Sequence, residues 1–209
     1  DGYIEKFIEK PNPGETKSNW INGGVYILER DILQIAPENE FYMFERGLFP
    51  TLLETQIPMY GYRNNPYWID LGTPSNYLRV NHDILNSVDE SMIVENRDIL
   101  NTEGYFAHPS AVIEGPVIVG RDCFIGAGSV IRGPTVIGSG VTIGEDNVIS
   151  GSVLWDGVKL GNQVILTECI LADDVTVDDK VRIGNLCMVA SGMNVTTDLQ
   201  PGISLGPTG

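Results

Sequence analysis

The stretch Val112–Ser150 reads VIEGPVIVGRDCFIGAGSVIRGPTVIGSGVTIGEDNVIS, and its spacing decides the architecture of the second half of the chain. Counting by sixes from Ile113 lands on Val119, Ile125, Ile131, Ile137, Ile143 and Ile149. A five-residue step then reaches Leu154, and sixes give Leu160 and Leu166. A second five-residue step reaches Leu171, after which sixes resume at Val177, Ile183 and Val189. Every landing is aliphatic. Gly follows many of them, as at Gly120, Gly126, Gly138, Gly144, Gly161 and Gly184, which suits a corner where a side chain would crowd a neighbouring backbone. Four residues after most landings stands something small or β-branched, such as Cys123, Ser129, Thr135, Val141 or Val158.

A period of six matches no helix face, and a hairpin sheet would show period two with turn clusters. Short strands bent at regular corners remain, with three hexads closing one triangular coil of 18 residues. Ile113 then stacks beneath Ile131, and Ile131 beneath Ile149. A single coil cannot bury its own aliphatic row, so stability has to come from neighbours in the stack.

Working outward, the 209 residues carry 13 Lys+Arg against 28 Asp+Glu, a net charge of −15. Such a surface repels nucleic acid and anionic membranes, so neither is an expected partner. No apolar run approaches the ~18 residues of a membrane span. Three Cys leave one unpaired in any disulfide scheme, which favours a reducing, cytoplasmic setting and buried packing roles for Cys123, Cys169 and Cys187. The chain begins at Asp1, without Met, inside what reads as a strand, and it is expected to be part of a longer protein.

The first half has a different texture. Strand-like alternation at Tyr3 to Ile8 and at Asn22 to Leu28 is followed by helical signals at Asp31 to Ala36 and Phe44 to Leu53. Further strands read at Met59 to Arg63 and at Tyr67 to Ile69, the last ending at Asp70. Thr73-Pro74 then supplies an N-cap and a first-turn proline for a helix to about Asn86. The expected divisions are an α/β region over 1–86, a polar linker over 87–107 and the repeat over 108–209.

Four motifs occur in order: Phe7-Ile8-Glu9-Lys10-Pro11, Asn22-Gly23-Gly24-Val25-Tyr26, Phe49-Pro50 and Trp68-Ile69-Asp70-Leu71-Gly72-Thr73-Pro74. Together they resemble the carboxyl-terminal half of a Rossmann-like sugar-1-phosphate nucleotidyltransferase domain, in the group of mannose-1-phosphate guanylyltransferases and glucose-1-phosphate thymidylyltransferases. The repeat resembles the hexapeptide, left-handed parallel β-helix that many members append; its handedness comes from that resemblance and not from the spacing. The implied fold class is α/β plus β.

The resemblance implies a reaction in which a hexose 1-phosphate attacks the α-phosphate of a nucleoside triphosphate, with Mg²⁺ as cofactor, giving an NDP-sugar (GDP-mannose favoured) and pyrophosphate. Lys10 and Asp70 would be the catalytic residues. Lys10 would hold the sugar phosphate, as suits a mobile ammonium. Glu9 would accept hydrogen bonds from sugar hydroxyls, and Asn22, Gly24 and Tyr26 would lie along the sugar. Asp70, at a strand's carboxyl end, would ligate Mg²⁺ through hard oxygens. The β-helix would support homo-oligomers. The glycine-rich loop with its Arg, and a second metal-binding Asp, belong to the family's amino-terminal half and do not occur in these residues, so the chain alone is expected to be inactive. Asn22-Gly23-Gly24 stands where Asn-Ala-Gly is commoner.

Plainer readings sit beside these. Glu9-Lys10-Pro11 alone is a surface turn, Asp70 alone ends a strand before a helix cap, and the acidic pairs Asp173-Asp174 and Asp178-Asp179 are solvated corners. One rival is a hexapeptide-repeat acyltransferase, which would use a His; of the two present, His82 falls in the helix after Asp70 and His108 precedes the first coil, so neither lies among the hexads counted from Ile113. Another is a regulatory or scaffold subunit.

Overall fold

The computed structural model describes residues 2–8, 10–87 and 104–206. Compact packing divides between Trp68 and Ile69 into two units.

In the second unit the hexads are strands of a three-faced parallel solenoid. One face is Phe106–Ala107, Phe124–Ile125, Thr142–Ile143, Lys159–Leu160, Thr176–Val177 and Asn194–Val195. The next is Val112–Glu114, Val130–Arg132, Val148–Ser150, Ile165–Thr167 and Arg182–Ile183. The third is Val117–Val119, Thr135–Ile137, Val153–Leu154, Ile170–Leu171, Met188–Val189 and Ser204–Leu205. The expected stacking is observed: Ile113 pairs with Ile131 and Ile131 with Ile149. Ile149 then pairs with Leu166 and Leu166 with Ile183, each 17 residues on, because both five-residue steps fall on the same edge of successive coils. From Val119 to Val189 every landing is buried; Ile113 stays 37% exposed because its strand ends its sheet.

The corners follow two rules. At the residue after a landing, glycine avoids collision: a Cβ on Gly120 would sit 2.5 Å from the carbonyl of Gly138 one coil along. Two residues further the backbone is left-handed, taken by Gly128, Gly140 and Gly157 and also by Asp122, Asp146 and Asp174. The acidic corners do more than meet solvent. Asp173 Oδ1 accepts from the Asp156 amide (3.2 Å) and Asp179 Oδ1 from the Asn162 amide (2.7 Å). Asp156 and Asn162 serve the Ser139 and Glu145 amides in the same way (2.7 Å each). Each side chain caps a corner N–H of the coil before it.

Buried polar side chains complete the interior. Asn147 is fully buried, accepting from the Val164 amide (2.6 Å) and donating to the Gly161 carbonyl (3.0 Å). Cys169 stacks beside Ser152, whose oxygen accepts from the Cys169 amide (3.2 Å). All three cysteines are free and buried.

The helix expected after Thr73 runs Pro74–Ser87. Thr73 caps it, its Oγ1 accepting from the Asn76 amide (3.2 Å). Grouped by sequence with residues 1–86, this helix packs on the solenoid: Leu78 is buried with Val153 and Ile170, flanked by Tyr77 and Val136. Those two coil residues point outward, and the helix is what covers them. Of the expected linker, 88–103 lie outside the described residues, while Phe106–Ala107 already pairs with Phe124–Ile125 as part of the stack.

In the first unit, the expected helical segments are a 3₁₀ helix, Arg30–Ile35, and a π-helical turn, Phe44–Leu48, continuing as the α-helix Phe49–Glu54. Leu48, Phe49 and Leu52 form a small core with Phe7, Tyr26, Leu28, Ile32 and Met59 around them. The expected strands at 3–8 and 59–63 meet through an antiparallel bridge, Tyr3 to Tyr60, with the Ile4 amide donating to the Met59 carbonyl (2.9 Å). The expected strands at 22–28 and 67–69 carry no ladder among the described residues. A strand is a pairing and not a local conformation, and no neighbour is offered to them there.

Candidate functional site

The loop Asn22-Gly23-Gly24 is shaped by its own asparagine. Asn22 Oδ1 accepts from the Gly24 amide (3.0 Å), an Asx turn that sets Gly24 in the left-handed region at φ +74°. No atom would meet a Cβ at Gly23 or Gly24 within 4 Å, so the loop backbone is open to close approach. Asn22 Nδ2 donates to the Tyr26 hydroxyl (2.5 Å), and that hydroxyl donates to Glu45 Oε1 (3.4 Å).

Tyr26 is held from behind by aromatic rings, 5.7 Å from Phe44 and 5.2 Å from Phe49 between ring centres. Phe7, shortly before Lys10, packs on the same Phe49 at 5.0 Å. One small aromatic core therefore joins three of the four sequence motifs, through Phe7, Tyr26 and Phe49. Lys10 is exposed, with a left-handed backbone at φ 51°. Glu9 lies outside the described residues.

Asp70 belongs to the second unit, whereas Lys10, Asn22, Gly24 and Tyr26 belong to the first. Its carboxylate Oδ1 accepts from the Gly72 amide (3.0 Å), and its main-chain carbonyl accepts from Asn76 Nδ2 (2.7 Å). The side chain is thus fixed to the capping turn of the helix Pro74–Ser87. As a hard oxygen donor on a constrained turn, Asp70 fits one ligand position of Mg²⁺, which takes one or two carboxylates and fills its octahedron with phosphate oxygens and water. Among the described residues no cluster of three or more His, Cys, Asp or Glu could hold a metal ion.

All three thiols are buried. Burial pushes the Cys169 thiol up to about 12 and raises that of Cys123. His108 Nδ1 is 2.8 Å from Ser110 Oγ at the entry to the first coil, and His82 Nε2 is 2.8 Å from the Gly151 carbonyl. The first contact is local in sequence and the second spans 69 positions.

Glu45 belongs to none of the four motifs. Phe49-Pro50 was legible as a motif, but the carboxylate four residues earlier gains meaning only when the helical turn carries it to Tyr26. Tyr26 is half core residue and half loop partner, a double role that its motif does not display.

Residues 89–200 match the family model described as EIF2B subunit epsilon LbH domain, and residues 1–87 match the model described as Nucleotidyl transferase. A mannose-1-phosphate guanylyltransferase of Mycobacterium tuberculosis is 30% identical over 160 residues, covering 75% of this chain and 39% of that protein. A glucose-1-phosphate adenylyltransferase of Acetivibrio thermocellus is 28% identical over 218 residues, covering 96% of this chain and 47% of its own length. The chain thus spans less than half the length of these curated relatives. Among solved structures, the acetyltransferase domain of PglB from Neisseria gonorrhoeae in complex with acetyl coenzyme A aligns with a TM-score of 0.50 at 14% identity, over 69% of this chain and 80% of that one; the likeness is one of fold alone.

Proposed function

Because the chain belongs to the left-handed β-helix family of the EIF2B epsilon-subunit type and its first 87 residues match the nucleotidyl transferase model, we propose that it forms the sugar-phosphate-binding part of a sugar-1-phosphate nucleotidyltransferase, with mannose 1-phosphate and GTP the favoured substrates. The observation that carries this reading is the Asn22–Gly24 loop, backed by Tyr26 and opened by two glycines, in a chain matched to mannose-1-phosphate guanylyltransferase.

In this reading a sugar-phosphate oxygen attacks the α-phosphate of the nucleotide and pyrophosphate leaves. Lys10 neutralises the sugar phosphate, its exposed ammonium meeting the charge that would otherwise repel the incoming triphosphate. Glu9 accepts from sugar hydroxyls. Asn22 and the Gly24 backbone line the sugar, while Tyr26 holds Asn22 in place. Asp70 supplies a carboxylate to Mg²⁺; when bound, that ion supplies charge neutralisation at the transferring phosphates. Three free, buried cysteines support a cytoplasmic setting. The outward row Val112, Val130, Val148 and Ile165 on one solenoid face supports self-association. Among the described residues, no helix is long and apolar enough to cross a membrane.

Calorimetric titration of the 209-residue chain with mannose 1-phosphate tests the reading. Saturable binding that disappears in Lys10→Ala is expected. No binding by the unaltered chain, or equal binding by Lys10→Ala, refutes it. With GTP added, no pyrophosphate release is expected from this chain alone, since no glycine-rich phosphate loop occurs in its sequence.

A further inference from the structure

We propose that Glu45 is a positioning residue for the Asn22–Gly24 loop, acting through the Tyr26 hydroxyl to fix which way round the Asn22 amide sits. Its relevance to sugar binding rests on the function proposed above; the geometry does not.

Donors and acceptors decide the arrangement. A carboxylate only accepts, so the single proton of the Tyr26 hydroxyl is directed to Glu45 Oε1 (3.4 Å). The Tyr26 oxygen is left as an acceptor, and Asn22 Nδ2 donates to it (2.5 Å). Asn22 Oδ1 then faces the Gly24 amide, which can only donate (3.0 Å). Turning the amide over would set Oδ1 against a hydroxyl whose proton is committed and set the NH₂ group against the Gly24 N–H. Both contacts would fail together, so the row from Glu45 to Gly24 has one consistent arrangement. The remaining Asn22 N–H thereby has a fixed direction in which to meet an acceptor such as a sugar hydroxyl.

The placement of Glu45 supports a positional role. It is half-buried in the turn Phe44–Leu48, beside the Phe44 and Phe49 rings that grip Tyr26. A competing explanation is helix electrostatics, because Glu45 is the acidic residue in the first turn of its element. Two substitutions separate these explanations. Glu45→Gln keeps the reach and a carbonyl acceptor but loses the charge. Glu45→Asp keeps the charge but falls one methylene short of Tyr26.

The experiment uses the 209-residue chain with ¹⁵N-labelled asparagine and follows the side-chain NH₂ resonances of Asn22. The unaltered chain and Glu45→Gln are expected to show a protected, well-separated pair. Glu45→Asp and Tyr26→Phe are expected to give the averaged pair of an exposed amide. If Glu45→Asp keeps the protected pattern while Glu45→Gln loses it, or if neither changes it, the proposal is overturned. The near-ultraviolet signal of the aromatic cluster reports that each variant is folded, and Tyr26→Phe tests the row independently should Glu45→Asp not be. Mannose 1-phosphate is then titrated into each. Affinity is expected to fall by about three- to tenfold in Glu45→Asp and to stay within about twofold in Glu45→Gln. Absence of any response in the unaltered chain would count against the sugar-binding reading, while the unliganded spectra would still decide the role of Glu45.

Discussion

His82 Nε2 lies 2.8 Å from the carbonyl oxygen of Gly151, joining a helix to a coil corner 69 positions away in sequence. Because a carbonyl only accepts, Nε2 carries the proton. Beside this contact, the Trp155 indole N–H donates to the Tyr77 hydroxyl (3.2 Å), and Leu78 fills the space over Val153 and Ile170. Asp70 is tied by its own backbone to the cap of the same helix. The carboxylate proposed to meet Mg²⁺ is therefore mounted on an element that the solenoid holds.

Packing should dominate that attachment. Leu78→Ala is expected to cost about 2–4 kcal/mol, and His82→Ala about 0.5–1.5 kcal/mol. Urea unfolding gives both values, and amide exchange along 74–87 shows whether the helix detaches first. A larger loss for His82→Ala would mean that the polar contact, and not the apolar one, does the holding.

Asn147 stands in the inward row of small or β-branched residues and satisfies two backbone groups of the next coil. Asn147→Ala leaves the Val164 amide and the Gly161 carbonyl short of these partners in a dry interior, so a loss of about 1–3 kcal/mol is expected in denaturant titration. An unchanged midpoint would show that the coil closes up around the gap.

Three glycines should respond differently. Gly23 has open space and no left-handed φ, so Gly23→Ala is expected to be neutral or to stabilise by about 0.4–1 kcal/mol. Gly24→Ala meets the same open space but a left-handed φ of +74°, with a cost of roughly 1–2 kcal/mol. Gly120→Ala drives a methyl into the Gly138 carbonyl and is expected to cost about 1–3 kcal/mol. Thermal melts of the three variants check the order.

Cys169 links stability to alkaline pH. Its ordinary value of 9.0 is raised to about 12 by burial, so the folded chain disfavours the thiolate more than the unfolded chain does. The stabilisation is complete below pH 9 and is lost as pH rises from there towards 12. Cys169→Ser should flatten the fall in unfolding free energy across that window. In the native chain at neutral pH, a thiol reagent should find Cys169 silent until denaturant is added.

The solenoid was readable because its stability is periodic. Each coil needs the same inward aliphatic at the same step, and Ile113, Ile131 and Ile149 advertise the register directly. Asn147 and Ser152 escaped that reading since polar residues at inward positions look like breaks until their partners on the next coil are known. The corner aspartates read as solvated for the same reason: capping an N–H 17 residues away leaves no local mark. In the first unit, motifs gave the Asn22 loop and Asp70, but not Glu45, whose role depends on a contact spanning 19 positions. Strand signals at 22–28 were propensity without pairing, and propensity cannot supply a neighbour.

The two 17-residue coils carry a cost of their own regularity. At the edge where the count drops from six to five, Gly151 offers its carbonyl to His82, and a Cβ added there would meet the Glu168 side chain at 3.0 Å and the imidazole at 3.5 Å. A duplication error that restored the missing residue would make the repeat more perfect while displacing the berth on which the helix rests. Drift towards uniformity, harmless in a free-standing stack, would here loosen the mounting of Asp70; the irregular count is itself heritable information about where the helix Pro74–Ser87 rests on its coils.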